Sequence, residues 1–108
     1  MGLSFSLMKI IAVKALREFW ERFPDAEQPL KAWVDEARKA QWTQPADTKR
    51  HYRSASILKN RRIVFNIKGN AYRLVASVAY RFGAVYIKFI GTHEQYDGID
   101  AETVDEEY

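Results

Sequence analysis

The chain predicts a single α+β domain of order β-α-α-β-β-β, an antiparallel sheet carrying two N-terminal helices on one face. Three observations predict it. The apolar residues recur with a helical period over residues 16–37, and the period becomes two from residue 63 onward. The length of 108 residues, with 47% hydrophobic and 14% aromatic side chains, supplies one core and not two. Helices followed by a run of strands are the pattern of segregated α+β packing.

The elements follow in order. Lys9–Val13 is short and β-branched, a first strand. Leu16, Phe19, Trp20 and Phe23 then fall at i, i+3, i+4 and i+7, with charged residues between them and Pro24 ending the helix. Leu30, Trp33, Val34 and Ala37 repeat that pattern, with Asp25 as candidate N-cap and Pro29 either inside the first turn or marking a later start. The helical spacing assigns Phe19, Trp20 and Trp33 to the core. Residues 43–62 are irregular and polar, punctuated by Pro45, Asp47 and Ser54, with room for one helical turn capped by Asp47. A connection this long is functional or holds further structure. Ile63–Ile67, Tyr72–Tyr80 and Val85–Ile90 read as strands, joined by turns at Gly69-Asn70 and Arg81–Gly83, and so as a meander.

Alternation sorts the side chains of that meander. Ile63, Phe65, Ile67, Tyr72, Leu74, Ala76, Val78, Val85, Ile87 and Phe89 are expected to face the helices. The opposite face then gathers Asn66, Lys68, Arg73, Tyr86 and Lys88, with no acid among them, and Ile90 beside them. Charge distribution along the chain gives this weight. The formal net charge is only +3, from 17 Lys+Arg against 14 Asp+Glu, yet no acid stands between Asp47 and Glu94. The acids Asp97, Asp100, Glu102, Asp105, Glu106 and Glu107 crowd the end of the chain. A one-sign face repels itself unless a counter-charge visits, and cations around a tyrosine suit RNA, binding phosphate and stacking on an unpaired base. His51 and Arg53, in the basic stretch 49–53, are further RNA-contact candidates.

Several classes are excluded or disfavoured. The chain has no cysteine, hence no disulfide framework, thiol nucleophile or thiolate metal site. Two distant histidines form no recognisable metal site, and no metal or cofactor is expected. No stretch approaches the ~20 apolar residues that span a bilayer, and the start lacks a basic leader, so the expected location is the cytoplasm. Residues 1–7 read as an extension outside the core, 8–100 as the domain, and 101–108 as an acidic tail able to fold back over the basic face.

The stretches Asn66-Ile-Lys-Gly-Asn-Ala-Tyr-Arg-Leu-Val75 and Val85-Tyr-Ile-Lys-Phe-Ile-Gly-Thr-His-Glu-Gln-Tyr-Asp97 strongly resemble the HigB family of type II toxins. The likeness runs from Met8 to about Asp100 and includes Phe23–Trp33 and Pro45–Asp47. It implies a RelE-like fold and ribosome-associated endoribonuclease activity, the ribose 2′-hydroxyl attacking the adjacent phosphate. It also implies a helix-turn-helix antitoxin of HigA type as partner, besides mRNA on the ribosome. Arg73 falls where RelE-like nucleases place an arginine by the phosphate, with Lys68 and Lys88 able to add to the clamp. His93 stands where those enzymes carry a basic general acid, and imidazole titrates around neutral pH. Tyr96 matches the family string. Val64 and Asn66 occupy the positions of the two lysines of RelE itself, so no lysine base transfers there.

Other classes remain open at this level. RelE-like folds also host gyrase poisons, and a plain RNA-binding module would share the basic face without cleaving anything. A proton-transfer group beside the arginine favours the nuclease.

Overall fold

The computed structural model describes residues 6–105. Its elements are β1 (Lys9–Ile11), α1 (Val13–Arg22), α2 (Glu27–Lys39), α3 (Pro45–His51), β2 (Ser56–Ile57), β3 (Arg62–Ile67), β4 (Tyr72–Ala79), β5 (Ala84–Thr92) and α4 (His93–Asp97), with a 3₁₀ turn at Pro24–Ala26 between α1 and α2. The strands form one sheet in the order β1-β5-β4-β3-β2. The fold is the α+β class that the periodicity predicts, with three further elements, α3, β2 and α4, and one change in the sheet. The irregular stretch 43–62 contains α3 and the edge strand β2. The sheet is mixed rather than purely antiparallel, because β1 runs parallel to β5 after the chain's helical excursion across the sheet.

One face of the sheet carries the main core. Leu16, Leu30, Ile63, Leu74, Val78 and Val85 are fully buried there, each worth about 1.5–3 kcal/mol of apolar burial. Trp33 meets Phe65 edge-on at 5.2 Å, and Trp42 stacks on the same ring at 6.0 Å, so α2 and the segment leading into α3 share one anchor.

Asp25 does not cap α2. Helix α2 continues from the 3₁₀ turn with Ala26 as its N-cap and no side-chain cap, and Pro29 lies inside its first turn. The Asp25 carboxylate instead accepts hydrogen bonds from the Tyr72 hydroxyl and from Lys68 Nζ, the latter at 2.9 Å. These bonds, with the tyrosine the larger influence, hold the Asp25 carboxyl below its ordinary value of 3.8. A depressed carboxylate adds stability above its unfolded pKa and loses it as pH falls through the folded one. Asp25→Asn should therefore lower Tm at pH 7, and the gap to wild type should close as acid protonates the Asp25 carboxylate. A pH-independent gap would remove the ionised carboxylate from the explanation.

A bulge corrects the alternation in β5. Val75 pairs with Phe89 but Ala76 pairs with Ile87, leaving Lys88 as the extra residue. Beyond it the faces exchange: Ile90 joins the helix-side core, and Phe89 turns to the opposite face.

That opposite face is not bare. Val64, Val75 and Ala101 are buried in a second small cluster, with Leu58, Phe89, Tyr96, Ile99 and Val104 packed around them. The segment read as an acidic tail thus lies on the sheet over its described part, 101–105; residues 106–108, and residues 1–5 of the expected N-terminal extension, lie outside the described residues. Arg62 fastens it. Its guanidinium is buried and donates to the carbonyls of Ala101 at 3.2 Å and Val104 at 2.8 Å.

Candidate active site

Strand β5 runs straight into α4, and the junction is built by a capping box. Thr92 Oγ1 accepts from the Gln95 backbone N–H, and Gln95 Oε1 accepts from the Thr92 N–H. The Thr92-x-x-Gln95 spacing is the signal from which the sequence reading could have found this helix start. Gly91 makes room for the turn: a Cβ there would stand 2.5 Å from the Phe89 ring and 2.8 Å from Gln95 Oε1. The His93 backbone N–H donates to the Ala71 carbonyl at 3.3 Å, tying α4 to the turn between β3 and β4.

This arrangement brings three expected site residues to one corner of the outer face. Arg73, on β4 and paired across the sheet with Gly91 and Asn66, extends its guanidinium to 6.0 Å from the centre of the Tyr96 ring. One Nη of Arg73 donates to the Asn70 carbonyl at 3.0 Å, which fixes the head at the turn. Tyr96 is half-buried against Phe89, with ring centres 6.5 Å apart. It packs on the outer cluster and not on the helices. His93 is exposed, one turn earlier on α4, with Nδ1 3.3 Å from Asp97 Oδ2. Arg73 and Tyr96 therefore meet at one edge of the sheet, and the backbone of exposed His93 is tied to the turn beside them.

The remaining candidates are distributed differently. Lys68 leaves the outer face: its φ of 53° places it in the turn, so strand alternation stops at Ile67 and the ammonium reaches Asp25 on the helix side. His51 also lies on the helix side, where its Nδ1 accepts from Trp42 Nε1 at 3.3 Å and its ring packs 4.4 Å from Tyr52. Arg53 is exposed in the loop after α3, next to Ser54, whose carbonyl accepts from Asn66 Nδ2 at 3.3 Å. Tyr86 is 38% exposed on the outer face, with Lys88 Nζ 5.8 Å from its ring centre. The face expected to be free of acid has one: Asp105 Oδ2 lies 3.8 Å from Lys88 Nζ. Alternation could not foresee it, since the acid arrives from the chain terminus.

Two adjacent helices laid across one side of this mixed sheet, with arginine and histidine at the end of the other, fit the RelE-like fold. Family comparison makes the assignment specific. Residues 26–99 match the model of the HigB toxins, described as the RelE-like toxic component of a toxin–antitoxin system. The chain is 32% identical over 92 residues to the mRNA interferase toxin HigB of Escherichia coli strain K12, spanning 83% of this chain and 88% of that relative. The mRNA interferases HigB of Escherichia coli O157:H7 and of Shigella flexneri match to the same extent. The chain belongs to the HigB toxin family. Among the described residues no helix is long and apolar enough to cross a membrane.

Proposed function

We propose that this protein is a toxin that cleaves translated mRNA on the ribosome without a metal ion, acts in the cytoplasm and is silenced by a HigA-type helix-turn-helix antitoxin. The observation that carries the reading is the contact of Arg73 with Tyr96 at the edge of the outer cluster, with exposed His93 one turn earlier on α4 and tied through its backbone to the same turn that holds Arg73. In the proposed reaction the ribose 2′-oxygen attacks the adjacent phosphorus and gives up its proton to a solvent water. The bond to the 5′-oxygen of the next nucleotide breaks, leaving a 2′,3′-cyclic phosphate and a 5′-hydroxyl. Arg73 meets the charge that builds on the phosphate oxygens, the kind of fixed cation that favours a transition state over its ground state. His93 delivers a proton to the departing 5′-oxygen, its ring oriented by Asp97 through Nδ1, which frees Nε2 for the transfer. Tyr96 supports the guanidinium from beneath and lines the path of the RNA. Lys88, Tyr86, Asn66 and Arg53 continue the track along the same side of the sheet. Lys68 and His51 are assigned to holding the helix-side packing around it, where Asp25 and Trp42 occupy them.

Primer extension on an mRNA in a translating extract tests this. Discrete breaks should appear with the wild-type protein and vanish when ribosomes are omitted. Arg73→Ala should abolish them with Tm almost unchanged, because the side chain lies at the edge of the outer cluster. Intact breakage by that variant would remove Arg73 from the chemistry, and inhibition of translation without any break would favour a non-enzymatic inhibitor.

A further inference from the structure

A groove of about 430 Å³ lies on the outer face beyond Arg73, lined by Asn60, Arg61, Ser77, Tyr86 and Lys88. Ser77 and Tyr86 form a cross-strand pair at its floor. Ser77 stands four residues along β4 from Arg73, about 13 Å at the rise of a strand. Its rim is the turn Lys59–Arg62, in which the Arg62 N–H donates to the Lys59 carbonyl at 3.1 Å. Both central residues are left-handed, Asn60 at φ 59° and Arg61 at φ 58°. Tight hairpin turns of this kind favour Asn followed by Gly. Asn60 obeys the preference, and Arg61 stands where a glycine would be relaxed. A bulky side chain thus stands in a conformation that disfavours it, and the Val78 N–H fastens that residue to β4 by donating to the Arg61 carbonyl at 3.0 Å.

We propose that this groove is a second nucleotide-binding subsite for single-stranded RNA, with Arg61 as its principal phosphate contact. The proposal rests on the function given above and extends it from the scissile phosphate to a flanking nucleotide. The base of that nucleotide stacks on the exposed ring of Tyr86. Its phosphate lies between the Arg61 fork and the Lys88 ammonium. Lys88 keeps 23% of its side chain exposed and lies 3.8 Å from Asp105, outside hydrogen-bond reach, so a phosphate oxygen competes with that carboxylate for the ammonium. The Ser77 hydroxyl offers a hydrogen bond to the sugar or base edge, while Asn60 Nδ2 donates to the Glu102 carbonyl at 3.1 Å and steadies the rim.

The experiment uses the full chain and two labelled single-stranded RNAs, a trinucleotide and a nonamer, both 2′-O-methylated throughout so that the attacking hydroxyl is blocked. Arg61→Gly relieves the positive φ, so Tm should stay level or rise. The same variant should bind the nonamer about 10-fold more weakly, with a shallower salt dependence, and the trinucleotide as wild type does. Tyr86→Leu should weaken the nonamer alone as well. A lower Tm for Arg61→Gly would make Arg61 structural and overturn the proposal. Unaltered nonamer binding by both variants, while wild type still cleaves translated mRNA, overturns the subsite alone. A wild-type protein that neither binds the nonamer nor cleaves translated mRNA overturns the subsite and the function together.

Discussion

His93→Gln is expected to cut mRNA cleavage by about 10²–10⁴-fold, the usual contribution of a positioned proton donor. Glutamine keeps the length and polarity of the side chain but cannot hand over a proton near neutral pH. Binding should hardly change, because the imidazole is exposed and the proposed reaction gives the phosphate contact to Arg73. Single-turnover cleavage on programmed ribosomes, measured beside RNA affinity, separates the two effects. Near-native cleavage would move the donor role to Tyr96, whose ring already lies 6.0 Å from the Arg73 guanidinium carbon. It would not move it to His51, which is on the far side of the sheet against Trp42.

The largest stability effect is expected at Arg62. It is 1% exposed, and its guanidinium reaches two main-chain carbonyls of the segment that closes the outer cluster. Arg62→Leu keeps apolar bulk while withdrawing the Nη that serves both carbonyls, leaving a buried one at Ala101 and a part-buried one at Val104 without it. Hydrogen bonds from a charged donor are worth about 1.5–3 kcal/mol each, so a loss of about 3 kcal/mol is expected. In a domain of this size that lowers Tm by roughly 10–20 °C. Amide exchange over residues 99–104 should accelerate more than exchange in β4, and cleavage should fall with it, because Ala101, Ile99 and Val104 belong to the same outer cluster on which Tyr96 packs. An unchanged Tm would show that the segment is held by its apolar contacts alone.

Local pattern reaches far in this chain where one face of an element is apolar. The stripes Leu16-Phe19-Trp20 and Leu30-Trp33-Val34-Ala37 locate α1 and α2, and the two-residue period locates β3 and β4, because each repeat is imposed by burial against a single neighbour. The strings 66–75 and 85–97 carry the family likeness, and the corner of Arg73, His93 and Tyr96 lies within them. What periodicity misses begins where residues touch across long stretches of chain. The short α3 and β2 bury too few residues to write a period. The bulge at Lys88 breaks the alternation that would have kept Phe89 inside, and it exists only as a register between β4 and β5. Lys68 and Asp25 are 43 positions apart, so no local rule pairs them. Composition classes Arg62 as one more surface cation, yet the fold buries it as the clamp of the C-terminal segment. Arg61, its neighbour, sits at the rim of the open groove. Charge counts alone cannot divide the two, because the division depends on which side chain the segment Ala101–Val104 covers when it returns to the sheet.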